Sequence, residues 1–328
     1  MRVIRAHSFG GPEVLQLESL PRPVPGSGEV LIDIHAAGVN PADTYMLTGN
    51  YAKVPDLPYI PGGDCAGVVA AVGPNVTAFA RGDRVFVSAA LGGDLSGCYA
   101  EAVVRSAKNV LSLPETTSFD QGAALGVPYA TAHIALFARG RAKPGETVFI
   151  HGASGAVGSA AIQLGRRAGL RMIGSAGTPE GLDRVRAQGA ELAVNHAQPG
   201  YLEVVRAATG GEGPALIVEM LADANLAADM TLAARYGRVV IVGCRGEVSI
   251  APRIAMMKEL DIMGMAIWNA PRELVTSAFC EITEGLHEGV LRPEIGMIFP
   301  LAQSAEAHRA VLRPGTRGKT ILSIGPNS

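Results

Sequence analysis

Residues 147–163 read TVFIHGASGAVGSAAIQ, and this stretch decides the fold. Its opening, Thr147-Val148-Phe149-Ile150, is an apolar β-favouring run that suits a buried parallel strand. A glycine-rich turn follows, Gly152-Ala153-Ser154-Gly155-Ala156-Val157-Gly158, and then small and apolar residues at helical spacing, Ala160, Ala161, Ile162 and Leu164. Strand, tight turn and helix together aim free backbone N–H groups and the positive end of a helix at a pyrophosphate. Gly155 allows the backbone to approach the phosphates, and Gly158 allows the helix to pack closely on its strand. Ala153 stands where the strict dinucleotide pattern has glycine, so the surrounding rhythm must carry the rest of the argument.

That rhythm runs on for about a hundred residues. Strands are expected at Arg171–Ser175, Leu192–Asn195, Ala215–Met220, Gly237–Gly243 and Asp261–Ile267. Helices are expected between them at Glu180–Gln188, Tyr201–Ala208 and Asn225–Ala234. Six strands joined by helices imply right-handed crossovers and an α/β, doubly wound, six-stranded parallel sheet. Upstream the pattern changes to mostly β, with strands at Met1–Ala6, Val14–Glu18, Glu29–His35, Val68–Val72 and Gly97–Val104, and another led in by Gly82-Asp83. Val30, Ile32 and Ile34 alternate with polar neighbours, and the prolines at 21, 23 and 25 break the chain before them. Ala36–Tyr59 reads as a polar, tyrosine-bearing stretch. After the sheet come a helix at Arg272–Glu288, an extended piece near Ile298 and a strand at Lys319–Ile324, expected to return to the first domain. The boundaries follow as 1–123 plus 268–328 for the β-rich domain and 124–267 for the dinucleotide domain.

Composition excludes several classes. The 328 residues are 48% hydrophobic and 18% charged, which describes a globular chain with an ample core. Net charge is −2 and basic residues form no stripe, so nucleic acid is not an expected partner. Cys65, Cys98, Cys244 and Cys280 lie far apart without a CxxC pair, which fits a reducing compartment. With neither a signal peptide nor a membrane-length apolar run, a cytoplasmic location is expected.

The cofactor reading turns on the end of the second strand. An NAD site places a carboxylate about twenty residues past the glycines, to bind the ribose 2′-hydroxyl. Here the chain reads Gly174-Ser175-Ala176-Gly177-Thr178, with no carboxylate before Glu180. Ser175, Gly177 and Thr178 would form a neutral pocket able to accept a 2′-phosphate, with Arg184, His196 or Arg317 supplying charge. NADPH is therefore expected over NADH. Arg184 also suits a solvated helix face, and His196 a surface position.

The motifs GVNPAD, PGGDCAGVV, GDRV, GCYAE, GVPYATA and HGASGAVG, in this order, resemble the medium-chain dehydrogenase/reductase superfamily. Within it the chain is most similar to the zinc-independent quinone oxidoreductases of the zeta-crystallin type, along essentially its whole length. The resemblance extends to GSAGTPEG (174–181), EMLADANL (219–226) and VVIVGCRGEVSI (239–250). It implies a Rossmann sheet beside a GroES-like β-rich domain, with substrate held in an interdomain cleft. The catalytic-zinc positions of related alcohol dehydrogenases match Asn40, Gly63 with Asp64, and Val127, and the four-cysteine lobe of structural zinc is missing, so no metal is expected.

Without a Lewis acid, alcohol oxidation is disfavoured, whereas a quinone already accepts a hydride readily. Such a reaction needs positioning over the nicotinamide and hydrogen bonds to the oxygen that gains charge. The resemblance implies that Asn40, Tyr45, Tyr51 and Tyr59 border the cleft as catalytic candidates, although a phenol of ordinary pKa near ~10 is a feeble acid and the tyrosines equally suit cleft walls. For the cofactor it implies Asn40, Thr131, Ser154, Gly155, Ala156, Val157, Met220, Leu221, Gly243, Cys244, Arg245, Ile267, Trp268, Asn269 and Lys319. Trp268-Asn269 replaces the phenylalanine-serine common in that family, and Gly181 stands where some relatives carry a lysine for the 2′-phosphate. The implied activity is NADPH-dependent quinone reduction. Alternatives are an enone or alkenal double-bond reductase and a non-catalytic NADPH- or RNA-binding crystallin-like protein. The run DIMGMAI would leave an apolar sheet edge, so a homodimer paired through the sixth strand is expected.

Overall fold

The computed structural model describes residues 1–51, 53–315 and 317–324. The chain divides into two compact units, one of residues 1–127 with the described part of 279–328, the other Pro128–Ala278.

The first unit begins with β1 (Arg2–Ala6) and β2 (Leu15–Ser19), paired antiparallel. Next come β3 (Glu29–Val39), β4 (Asp64–Val72), β5 (Arg84–Val87), β6 (Ala102–Ser106) and β7 (Val110–Ser112). The alternation at the start of β3 buries Val30, Ile32 and Ile34 against Val69, Val85 and Tyr99. The strand runs on through Ala36–Val39, farther than the alternation predicts, because these residues are small. A Cβ on Gly38 would lie 2.2 Å from the Ala123 carbonyl oxygen, so glycine there lets the neighbouring helix Phe119–Ala123 approach. The polar stretch after it also holds a helix, Pro41–Leu47, and the Asp43 carboxylate reaches back to the Asn40 N–H at 2.8 Å.

The second unit holds β8 (Thr147–Ile150), β9 (Arg171–Ala176), β10 (Leu192–Asn195), β11 (Leu216–Glu219), β12 (Arg238–Ile241) and β13 (Asp261–Gly264). All pair in parallel, in the order β10-β9-β8-β11-β12-β13. The chain therefore winds outward from β8 in one direction, then returns and winds outward from β11 in the other. Its switch point, where such sheets bind ligands, lies between the carboxyl ends of β8 and β11. These two strands are covered on both faces, and Phe149, Ile150, Ile217 and Val218 are wholly buried. Each contributes about 1.5–3 kcal/mol by leaving water. The sixth strand stops at Gly264, and Ile267–Asn269 forms a separate 3-10 turn.

The first unit is completed by β14 (Ile295–Pro300) and β15 (Lys319–Ser323). β15 pairs antiparallel with the end of β3, Thr320 opposite Val39, and brings Lys319 into the core beside Asn40.

Candidate active site

In the second unit, the turn after β8 brings together the residues read from sequence as a phosphate cradle. Gly152 has φ of +58°, a left-handed conformation that glycine adopts without strain. Gly158 packs so closely that a Cβ would lie 2.5 Å from the Ala153 Cα, so the helix Ala156–Arg167 can sit on its strand only with glycine there. Among the described residues, no side chain caps this helix at Gly155. Its first N–H groups, including those of Ala156 and Val157, lack intrahelical acceptors and open at a half-exposed surface. Ser154 is 8% exposed beside them. This arrangement fits a diphosphate.

At the end of β9, Ser175 is buried, and its hydroxyl accepts a bond from the Gly152 N–H at 3.3 Å. His196 approaches the same hydroxyl through Nδ1 at 3.2 Å. The imidazole lies over Gly177, where a Cβ would meet its Nε2 at 2.8 Å. Burial lowers the His196 pKa, and His151 lowers it further. The Thr178 hydroxyl caps the helix Pro179–Ala187 by accepting from the Gly181 N–H at 3.1 Å. Arg184 stands half-buried on that helix, and no carboxylate occupies 174–178.

The loops after β11 and β12 are tied to each other. The Ala222 N–H donates to the Gly243 carbonyl at 2.9 Å, and a Cβ on Gly243 would lie 2.3 Å from the Met220 oxygen. Met220 and Leu221 are half-buried, whereas Cys244 and Arg245 are exposed; the Arg245 N–H donates to Asp223 at 2.8 Å. Thr131 is buried on the helix Gly126–His133. In the 3-10 turn, Ile267 is buried, Trp268 half-buried and Asn269 exposed.

The first unit centres on a buried polar cluster around Asp64. Its carboxylate accepts from Asn40 Nδ2 at 2.9 Å, the Val127 N–H at 2.9 Å and the Ala89 N–H at 3.2 Å. Lys319 Nζ lies 3.6 Å away and also donates to Asn40 Oδ1. Asn40 is thus oriented at both ends of its amide. Gly126 makes room, since a Cβ there would lie 2.2 Å from the carboxylate. Tyr99 donates to Asp43 at 3.2 Å and contacts His308 Nε2 at 3.2 Å. Burial pushes the Asp43 carboxyl up to about 7 and His308 down to about 4. Burial also lowers Lys319, against the pull of Asp64 and Asp43.

The three tyrosines separate. Tyr45 and Tyr51 are half-buried with ring centroids 6.2 Å apart. Tyr59 is 6% exposed and packs with Ala6 and Leu47. Its hydroxyl is buried without a partner among the described residues, and burial raises its pKa, making it a still poorer acid. Arg317 is half-buried just before β15, and its carbonyl closely approaches Gly296.

The residues that the sequence reading matched to zinc positions are an amide, Asn40, a glycine, Gly63, and an aliphatic residue, Val127, with the Lys319 ammonium 3.6 Å from Asp64. This donor set does not fit zinc. A cavity of about 400 Å³ lined by Arg141, Lys143, Glu146, Arg235, Arg238 and Asp261 lies at the amino ends of β8, β11, β12 and β13. The loops after β8, β9, β11 and β12 leave the opposite, carboxyl ends, where parallel sheets of this kind bind ligands.

Both halves of the chain match the medium-chain dehydrogenase class: the alcohol dehydrogenase GroES-like domain over residues 26–115 and the zinc-binding dehydrogenase family over residues 156–280. The sequence is 44% identical to the quinone oxidoreductases of Rattus norvegicus and of Homo sapiens, each over 326 residues, 99% of this chain and 98% of the relative. Two similar solved structures are Escherichia coli quinone oxidoreductase complexed with NADPH (TM-score 0.87, 28% identity, 98% of this chain and 100% of that one) and an NAD-dependent alcohol dehydrogenase (TM-score 0.91, 32% identity, 99% and 100%). The chain belongs to the quinone oxidoreductase family of the medium-chain dehydrogenase/reductase superfamily.

Sequence reading missed the partners that organise these sites. Asp43, Tyr99 and His308 surround the Asn40–Asp64–Lys319 group, and His151, Glu219 and Asp229 cluster between β8 and β11. Of these, Asp43 carried a signal, since Asn40-Pro41-x-Asp43 is the start of a capped helix.

Proposed function

We propose that this chain reduces quinones with NADPH and without a metal. The observation that carries the cofactor assignment is the uncapped helix start at Gly155 facing the neutral, hydroxyl-bearing end of β9, with His196 beside Ser175. NADPH supplies the reducing equivalents when bound. The amides near Ala156 and Val157 hold its diphosphate, and Ser175, Thr178 and His196 receive the 2′-phosphate, with Arg184 as the added cation.

Asn40 takes the role of acceptor-binding residue. One of its Nδ2 hydrogens is engaged by Asp64 and its Oδ1 by Lys319, which leaves a second hydrogen for a carbonyl oxygen gaining charge. Lys319 takes the place of a metal in compensating Asp64, so the reaction draws on positioning and hydrogen bonds and suits an acceptor that needs no Lewis acid. Tyr45 and Tyr51 wall the substrate.

NADPH oxidation is expected with 1,2-naphthoquinone, more efficiently than with NADH. Turnover of an alkenone alone would favour the double-bond reductase instead. Tight, sequence-dependent RNA binding at physiological salt would favour the crystallin-like reading.

We also infer a homodimer through β13. This strand ends the sheet, and the preceding helix Pro252–Lys258 exposes Met256 (74%) and Met257 (69%). Light scattering at micromolar concentration is expected to give twice the chain mass, and a monomer would count against the inference.

A further inference from the structure

The group His151, Glu219 and Asp229 takes no part in the chemistry above, yet it lies at the switch point of the sheet. His151 follows β8, Glu219 ends β11, and Asp229 projects from the helix Ala222–Leu232. Their exposures are 4%, 0% and 0%. His151 Nε2 lies 2.8 Å from Asp229 Oδ1 and 3.3 Å from Glu219 Oε2. Glu219 Oε1 accepts from the Leu221 N–H and from Asn225 Nδ2 at 3.1 Å, so this carboxyl shapes the loop after β11.

Two oxygens remain, Glu219 Oε2 and Asp229 Oδ2, both buried and without a hydrogen-bond partner among the described residues. Ligand atoms of the two carboxyls and of His151 all lie within 4.8 Å of one another. Ionised carboxylates only accept, so two such orphans side by side would repel and remain unsatisfied. One proton between them answers both needs: Glu219 protonated on Oε2 donates to Asp229, while Oε1 keeps both of its donors. His151 completes the arrangement as a neutral ring whose Nε2–H donates to Asp229.

We propose that one proton shared by Glu219 and Asp229 locks the loop after β11 to the glycine turn after β8, and that losing this proton weakens dinucleotide binding. The inference rests on the cofactor reading above and makes Glu219 a positioning residue. Burial pushes Glu219 up to about 7 and Asp229 up to about 6, which places release of the proton near neutral pH. Burial lowers the His151 pKa, so the ring does not replace the lost charge balance. The other groups facing the trio are Tyr201, whose ring stands edge-on to His151 at 6.5 Å, and His196 after β10. Burial and the two carboxyls raise Tyr201, while His196 is lowered, so both are neutral as the proton leaves. Two ionised carboxylates would then share a buried site without a cation, and Glu219 would relieve the repulsion by leaving Leu221 and Asn225.

The test is the Kd for NADPH and for NADH, measured by fluorescence from pH 6 to 9, on the wild type, Glu219→Gln and Glu219→Ala. NADH removes any contribution from titration of the 2′-phosphate. Wild-type Kd is expected to rise about tenfold between pH 7 and 8.5 for both nucleotides. Glutamine imitates the protonated acid, with an oxygen for Leu221 and Asn225 and an N–H for Asp229, so Glu219→Gln should bind tightly without that slope. Glu219→Ala should bind weakly throughout. A protonated-carboxyl C=O band in the infrared should be present in the wild type near pH 6.5 and absent from Glu219→Gln. Nucleotide bound tightly with a flat wild-type profile, or a slope surviving in Glu219→Gln, overturns the inference and leaves the cofactor reading standing. A stoichiometric metal in the purified protein, lost in Asp229→Asn, also overturns it. Failure of the wild type to bind either nucleotide at any pH overturns the cofactor reading itself.

Discussion

Each unit buries carboxylates, and the two clusters neutralise them differently. In the first, Asp64 is ringed by Lys319, Asn40 and two backbone N–H groups, so its charge is answered by a cation and by donors. In the second, no such cation is seen among the described residues around Glu219 and Asp229, and the pair must retain a proton. An ion pair fixes geometry over a wide pH range. A shared proton fixes it only while the proton stays. The Asp64–Lys319 pair is therefore built for constancy, and the Glu219–Asp229 pair for responsiveness to pH.

The largest test of this contrast is Lys319→Met. It leaves Asp64 buried beside an unresponsive side chain, and removing one partner of such a pair costs about 3–5 kcal/mol. A large fall in the urea midpoint is expected, partly restored by Asp64→Asn in the double variant. If Lys319→Met is as stable as the wild type, the ion pair does not anchor the first unit.

Gly158→Ala comes next. Its Cβ would press against the Ala153 backbone, so the helix must move off its strand, at about 1–3 kcal/mol. NADPH affinity is expected to drop at least as sharply as stability, measured by fluorescence titration and thermal unfolding.

The pH dependence of stability separates the clusters further. Glu219 is raised from 4.5 to about 7, so the folded chain binds more protons than the unfolded one between those values. Its contribution is complete below pH 4.5 and declines as pH climbs through about 7. His308, held down from 6.5 to about 4, works in the opposite direction. There the unfolded chain binds more protons, so its contribution is present above 6.5 and vanishes as pH falls to about 4. Glu219→Gln should remove the decline and His308→Gln the rise, each worth about 3 kcal/mol across its window in unfolding curves at several pH values.

The smallest effect is expected of Tyr59→Phe. Its hydroxyl is buried without a partner among the described residues, so deleting it should leave stability within about 1 kcal/mol and on the favourable side. Quinone turnover should change little, whereas a large loss of kcat at unchanged stability would return Tyr59 to the chemistry.

The elements that sequence reading recovers well are those whose pattern is local. The helix at 201–208 and the strand at 192–195 fall where periodicity places them, and the turn at Gly152–Gly158 is set by glycines within seven residues of one another. The readings shift where distant packing takes over. β3 continues through Ala36–Val39 because a helix eighty residues later lies against it. The strand expected over Gly97–Val104 begins only at Ala102. The polar clusters were the least readable: Lys319 meets an asparagine 279 positions away, and His151 meets Asp229 across 78.

The sequence alone determined the parallel-sheet architecture, the glycine turn after β8 and the absence of an acidic residue after the second strand, because each is a matter of neighbours along the chain. Only the tertiary structure decided which carboxylates are answered by a cation and which must keep a proton. That depends on which strand ends meet in the folded core, and on how completely water is shut out there.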